Sequence, residues 1–196
     1  MPQKNNKKQL WILVGGNGAG KSTFYRLYLK PLGIPFVNAD LIAREIAPDN
    51  PEKASYRASQ IGERMRYELL REGASFCFET VFSHTSKVDF LAHAKAFGYE
   101  IICVFIHLNN LGLNKARVHQ RVAEGGHRVP DNKIGPRIIR TLHNVSAAIP
   151  LCTQVRLLDN SSYQNPFQQV AVIKNNKIEW FQDPPPAWAT SLTNKT

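Results

Sequence analysis

The sequence is poor in the features that mark a secreted scaffold, a metal centre or a membrane protein. It has three cysteines, Cys77, Cys103 and Cys152. Their number is odd, no two form a CxxC, and all lie in or beside apolar stretches. That excludes a disulfide framework and leaves a thiolate metal site nothing to stand on. They read as buried thiols in a reducing compartment, which places the protein in the cytoplasm. No apolar run approaches the ~20 residues that span a bilayer. The basic start MPQKNNKKQL leads into LWILV, which is too short for a signal core and ends in glycines, so it reads as a first strand. Acidic residues are also scarce, at 15 against 25 Lys and Arg, for a net charge of +10.

Such a surplus raises nucleic acid as a partner. Its distribution argues otherwise. Residues 115–140 hold seven basic residues (Lys115, Arg117, Arg121, Arg128, Lys133, Arg137 and Arg140) against Glu124 and Asp131. Half of the net charge therefore sits in one segment, and aromatic residues for base stacking are not interleaved with it. A smaller cluster, Lys4, Lys7 and Lys8, occupies a short N-terminal arm over residues 1–9, read as solubilising.

One short stretch carries a definite chemistry. Gly15, then Gly16-Asn17-Gly18-Ala19, then Gly20-Lys21-Ser22-Thr23 is a complete G-x4-G-K-S motif. Glycines let the backbone curl until successive N–H groups point inward at phosphate oxygens, and the helix that follows adds its dipole. Lys21 reaches the β- and γ-phosphates, and the Ser22 hydroxyl is the candidate Mg²⁺ ligand. The implied cofactors are ATP and Mg²⁺.

Around that loop, strands alternate with helices. Strands are expected at 10–14, 34–38, 75–80, 99–108 and 153–160, with a closing hairpin through Asn175-Asn176. A first helix should run from Lys21 to about Lys30 and stop before Pro31, and a brief one, 41–47, should halt at Pro48. The spacing of Ala58, Ile61, Met65 and Leu69 predicts a helix over 52–72 with Gly73 as its C-cap. Ser86 and Asp89 fit a capping box for a helix ending at Gly98. Asn114 should cap a helix to Glu124. A later helix carries Ile138, Ile139, Leu142 and Val145, with Pro136 tolerable only in its first turn. The tail from 183 to 196 is Pro-rich and reads as extended or loose. This pattern is an α/β three-layer P-loop sandwich. Its mostly parallel five-stranded sheet should have the kinase-like order 2-3-1-4-5 with a C-terminal β-hairpin, and the catalytic unit should span 10–182.

The apolar strand ending in Asp that marks switch GTPases and large ATPases is missing. Asp159-Asn160 follows the fifth strand, which is read as the sheet edge. The layout is that of a small kinase, with a basic flap over about 114–137 that shields the transferring phosphoryl group from water. Asp40, after the second strand, and Glu79, ending the third, should face the same cleft as Lys21. Asp40 is the candidate general base, with helix N-capping as its alternative role. Glu79 is a candidate for holding acceptor hydroxyls or Mg²⁺-bound water, or for pairing with an arginine. Arg117 and Arg121 share a helix face, as do Lys133, Arg137, Arg140 and Asn144. Gly125-Gly126 would hinge the flap, with His127 and Arg128 at its tip. His107 reads as structural.

GGNGAGKST, VNADLIA, FCFETVFSH and RVAEGGHRVPDNKIGPRIIRTLHN, in that order, resemble the zeta-toxin-like P-loop kinases, and within them a short branch described as predicted ABC-type ATPases. The resemblance covers roughly residues 9–160. It implies phosphorylation of a sugar hydroxyl of UDP-N-acetylglucosamine with ATP and Mg²⁺. It implies Asp40 as the base and Glu79 at the sugar end of the acceptor, with Thr80 beside it. Arg121 and Arg128 would embrace the transferring phosphate, and Arg137 would be a further contact. The family often pairs with a small helical antitoxin; only about nine residues precede the first strand, which leaves open an antitoxin on a separate chain or none at all. Departures from the long toxins leave open another metabolite or an antibiotic as acceptor. A nucleic-acid end kinase and a nucleotide-binding protein without transfer are the competing readings.

Overall fold

The structure is a computed structural model that describes residues 7–123, 130–175 and 177–193. Seven strands form one sheet in the order β2-β3-β1-β4-β5-β6-β7. β1 (Gln9–Val14) lies at its centre between β3 (Phe76–Thr80) and β4 (Glu100–His107), parallel to both. β2 (Phe36–Val37) pairs with β3, and β5 (Gln154–Asp159) with β4, again in parallel. β6 (Gln168–Lys174) and β7 (Lys177–Trp180) then add antiparallel as the expected hairpin. β5 is therefore an interior strand, not the edge that the sequence suggested.

Strand alternation sorts β1 between two cores. Leu10, Ile12 and Val14 join Phe76, Phe78, Ile101, Cys103 and Phe105 on one face. Leu13 joins Cys77, Val104, Ile106 and Phe24 on the other. A strand covered on both faces has to be apolar throughout, as LWILV is. The first face carries α2 (Ala39–Ile46), α3 (Ser55–Glu72), α4 (Ser86–Ala96) and α6 (Asp131–Ala148). The second carries α1 (Lys21–Phe24), which continues as a π-helical turn, Tyr25–Leu29, and a 3₁₀ turn, Lys30–Leu32. The helical run thus passes through Pro31 instead of stopping before it. The tighter turn accommodates a residue that has no N–H to donate.

Several local expectations shift. α3 buries Ala58, Gly62, Arg66 and Leu70 and leaves Met65 exposed, so the apolar row is a strict i+4 row, rotated from the one read at Ile61, Met65 and Leu69. The capping box at Ser86 is not formed, and the Ser86 N–H donates to His84 Nδ1 at 3.2 Å. α5 (Leu111–Ala123) starts ahead of Asn114, with Asn110 Oδ1 accepting the Gly112 N–H at 2.7 Å. Pro136 lies inside α6, in its second turn. Val145 is buried and Leu142 and Ile138 pack inward as expected, whereas Ile139 is exposed and Ile134 and Thr141 are buried in addition.

The tail is not loose. Residues Ala187–Thr193 form α7, with Ala189 and Leu192 buried in the first-face core. The Trp188 ring lies 4.5 Å from the His107 ring and 5.7 Å from the Phe105 ring. Cys77 and Cys103 are buried free thiols and Cys152 is half-buried. Among the described residues no helix is long and apolar enough to cross a membrane.

Candidate active site

The loop between β1 and α1 is fixed by contacts from distant parts of the chain. Gly15, Gly18 and Gly20 all adopt positive φ, at 155°, 77° and 98°. A Cβ on Gly15 would collide with the Ile106 carbonyl oxygen of the neighbouring strand. One on Gly20 would lie 2.6 Å from Asn160 Nδ2. Two buried amides clasp the loop backbone. Asn114 Nδ2, from α5, donates to the Asn17 carbonyl at 2.8 Å. Asn160 Nδ2, just past β5, donates to the Ala19 carbonyl at 2.9 Å. Asn114, read from the sequence as a helix cap, is therefore a strut between α5 and the phosphate loop.

Lys21 is buried, and its Nζ donates to the carbonyls of Gly15 and Gly16 at 3.0 and 3.1 Å. Burial pushes its pKa down; Glu79 and Asp40 pull it up and Arg121 pushes it further down. The candidate acids and Arg121 are thus close enough to act on the loop lysine through space. Ser22 Oγ donates to Glu79 Oε2 at 2.6 Å. Glu79 therefore stands against the loop hydroxyl expected to ligate a metal, and among the described residues no arginine forms an ion pair with it.

Asp40 owes its position to its neighbour. Asn38 follows β2 and caps α2, its Oδ1 accepting the N–H groups of Asp40 and Leu41 at 2.8 and 3.1 Å. The N-cap role considered for Asp40 thus belongs to Asn38, and the Asp40 carboxylate faces the cleft from the first turn of α2. Arg121 Nη1, from α5, approaches Asp40 Oδ2 at 3.9 Å. Asn17, Lys21, Asp40, Glu79, Thr80, Arg121 and Arg137 all line one cleft of about 350 Å³. The loop after β3 forms its floor and is held by α6. Thr141 Oγ1 donates to the Val81 carbonyl at 2.6 Å, and Asn144 Nδ2 to the Phe82 carbonyl at 2.8 Å. Thr80 Oγ1 accepts the Phe82 N–H at 2.9 Å.

Other sequence candidates go elsewhere. Arg117 packs its stem near Gly18, while Lys133 and Arg140 are exposed and do not line the cleft. Asn144 serves the loop after β3. Arg128, with Gly125, Gly126 and His127, lies outside the described residues. Among the described residues no three His, Cys, Asp or Glu side chains come together as a metal cluster.

The sequence reading missed Arg66 and Lys87, which line the same cleft together with Ser59 and Ser83. Arg66 was hidden by the rotated helix face. The i+4 row Ala58-Gly62-Arg66-Leu70, with small residues ahead of a lone arginine, was the signal available.

A family model described as AAA domain (AAA_33) matches residues 10–135. The chain is 28% identical over 133 residues to an uncharacterized protein of Haemophilus influenzae, an alignment covering 64% of this chain and 94% of that one. Its fold is similar to that of the AvrRxo1-ORF1:-ORF2 complex solved with ATP, at a TM-score of 0.73 and 18% identity, covering 95% of this chain. The match spans 64% of the length of that solved chain. It is also similar to the solved PezAT chromosomal toxin–antitoxin system of Streptococcus pneumoniae, at a TM-score of 0.61 and 17% identity, covering 78% of this chain and 68% of that one. These likenesses identify the fold as that of the P-loop kinases.

Proposed function

The chain belongs to this AAA-domain family, and on that footing we propose that it is a phosphotransferase acting from ATP on a hydroxyl of a small-molecule acceptor. One observation carries the reading: a carboxylate on the first turn of α2, Asp40, shares a cleft of about 350 Å³ with the loop lysine, Lys21. A nucleotide-binding protein without transfer has no need of a solvent-facing acid opposite its phosphate loop.

The residues present fit ATP and Mg²⁺. The loop backbone from Gly15 to Thr23, with Lys21, would cradle the triphosphate, and Ser22 with Glu79 beside it would hold the metal. ATP supplies the phosphoryl group, and the chain supplies position and charge. Asp40 accepts the proton of the acceptor hydroxyl and orients it in line. Arg121 and Arg137 bind the equatorial phosphate oxygens, where a guanidinium fork offers paired donors at fixed charge. By the sequence resemblance Arg128 would join them from a flap over about 114–137, and residues 10–182 would form the transferring unit. Thr80 orients the loop that holds the acceptor.

The finer reading makes this a zeta-toxin-like kinase of a sugar nucleotide such as UDP-N-acetylglucosamine, held in check by a separate antitoxin. Its support is the order of the sequence motifs and the likeness to the PezAT toxin–antitoxin system. Incubating the protein with ATP, Mg²⁺ and a panel of sugar nucleotides and other metabolites should yield one product heavier by a phosphoryl group. A panel that yields only ATP binding, with no acceptor-dependent ADP, overturns the proposal.

A further inference from the structure

The second face of the sheet carries a cavity that the transfer reading leaves without a task. It encloses about 400 Å³ and shares no lining residue with the Asp40 cleft. One wall is the helical run that begins at Lys21. Phe24, Tyr28 and Leu32 recur along it every four residues, passing from α1 through the π-helical turn into the 3₁₀ turn. Their exposure rises from 7% to 49% to 68%, so the outer part of this apolar row is left without cover. π-helical turns are rare and concentrate at functional sites. Trp11 of β1 and Arg156 of β5 line the sheet side.

Phe167 closes the cavity towards the phosphate loop, with its ring edge 3.4 Å from where a Cβ on Gly20 would sit. Its φ is 56°, a conformation that a bulky residue rarely adopts. Its N–H donates to Asn160 Oδ1 at 3.2 Å, the amide whose Nδ2 holds the Ala19 carbonyl. Three rings meet here. Phe24 and Tyr28 lie 4.7 Å apart between centroids, and Phe167 stands edge-on to both at 5.5 and 6.0 Å. Such walls favour a flat apolar body, which adds further ring contacts.

The sheet side supplies a charge. Arg156 Nε is sealed from solvent without a hydrogen-bond partner. Among the described residues no carboxylate lies within ion-pair distance of Arg156. A cation bordering an apolar cavity without a counter-charge favours an anion there. One guanidinium fork, with no lysine in the lining, matches the two oxygens of a carboxylate. The volume is that of a small-ligand pocket.

We infer that this cavity is an effector site for a small planar carboxylate, and that its occupancy is felt by the phosphate loop. The ligand's ring lies against Tyr28 and Phe167 and its carboxylate meets Arg156. Both ring residues connect to the loop backbone. Phe24, stacked beside Tyr28, donates its N–H to the Gly20 carbonyl at 2.9 Å, and Phe167 reaches Ala19 through Asn160. A ligand that holds these rings in place favours the ordered loop, and so tightens nucleotide binding.

The test uses the full chain with its phosphate loop saturated by a non-hydrolysable ATP analogue and Mg²⁺, so that the loop cannot take the probe's anion. It is titrated calorimetrically with naphthoate and, separately, with the neutral naphthamide. Naphthoate should bind at one site, and naphthamide about tenfold or more weakly, the loss of a charge-assisted contact. Arg156→Gln should erase that difference. Tyr28→Ala, at a half-exposed position, should weaken both probes by about threefold or more through the lost ring contact, and it keeps the site testable if Arg156→Gln fails to fold. In the converse titration, saturating naphthoate should tighten the ATP analogue by about fivefold or more. Naphthoate binding that is absent, or indifferent to both substitutions, overturns the site. Binding that leaves analogue affinity unchanged overturns the coupling. A concentration-dependent dimer dispersed by Leu32→Glu would give the groove to a second copy of the chain, and overturns the ligand site as well. None of these outcomes depends on transfer at Asp40.

Discussion

Ser22 Oγ donates to Glu79 Oε2 across 2.6 Å, tying the phosphate loop to the end of β3. The bond places a carboxylate one step behind the hydroxyl that would ligate Mg²⁺, where it would orient that hydroxyl and water bound to the metal. Groups so placed typically change metal affinity by about 10–100-fold when removed. Glu79→Gln should therefore raise the Mg²⁺ concentration needed for half-maximal transfer by about that factor, while binding of the ATP analogue in chelator stays as it was. A Mg²⁺ requirement unchanged in Glu79→Gln would instead assign Glu79 to the acceptor alone.

Asp40 and Arg121 approach to 3.9 Å with side chains 50% and 36% exposed. A pair so exposed contributes little to folding, on the order of 0–1 kcal/mol. Arg121→Ala should accordingly leave the urea midpoint nearly unmoved while transfer collapses. Asp40→Ala should lower the transfer rate by roughly 10²–10⁴-fold, the usual contribution of a positioned base, with ATP-analogue affinity preserved. Single-turnover kinetics in excess enzyme would separate the two effects. A transfer rate in Asp40→Ala equal to wild type removes it as the base.

His107 ends β4 beneath Trp188, its ring 4.5 Å from the indole at an interplanar angle of 32°. Burial lowers its pKa to about 4, against a partial opposing pull from Asp159. An unfolded chain binds that proton near the ordinary value of 6.5, so between about pH 6.5 and 4 the unfolded state carries more protons than the native one. The stability tied to neutral His107 is complete above pH 6.5 and falls as the pH drops towards 4, by up to about 3 kcal/mol. Urea unfolding of His107→Phe at pH 7 and pH 4.5 should show a smaller acid loss than wild type. Equal losses would mean that the ring is protonated in place.

How much of this was legible in the sequence varies with how local the determinant is. The phosphate loop was readable from spacing alone, because a curled backbone needs its glycines at fixed offsets. Asp40 and Glu79 were readable because strand ends in a parallel sheet point at one crevice. Arg66 was not, because Ala58-Ile61-Met65-Leu69 and Ala58-Gly62-Arg66-Leu70 run along nearly the same side of α3, and only the position of Phe78 and Phe90 decides which row faces inward. The tail was misread for a related reason. Asp183 to Pro186 favours extended chain, yet α7 begins directly afterwards, with the Ala189 N–H donating to the Pro186 carbonyl at 2.9 Å. A helix of seven residues is unstable by itself. Its stability comes from burying Ala189 and Leu192, which no local pattern announces. Leu192→Ala should cost about 2–5 kcal/mol in chemical unfolding, as truncation of a fully buried leucine does, whereas truncation of a loose tail would cost nothing measurable.

Asn114 offers the sharpest separation between packing and binding. Its amide is 2% exposed and spans from α5 to the Asn17 carbonyl at 2.8 Å. α5 also carries Arg121, so this hydrogen bond sets α5 against the loop that would hold the triphosphate. Asn114→Ala removes the donor and leaves the Asn17 carbonyl without it, a loss of about 1–3 kcal/mol for a buried polar group. Asn114→Asp removes the donor as well and places a carboxylate against a carbonyl oxygen in the dry base of the loop, so it should destabilise more than alanine. Neither change touches the cleft-lining face, so an effect limited to packing would lower the unfolding midpoint and leave ATP-analogue affinity of the folded protein intact. A strut that shapes the loop predicts the opposite pairing. Affinity falls by about tenfold or more in both variants, even under conditions where both are fully folded. Fluorescence titration with a labelled ATP analogue well below each variant's unfolding midpoint reads the difference directly. Unchanged affinity there would reduce Asn114 to a buried packing residue and uncouple α5 from the loop.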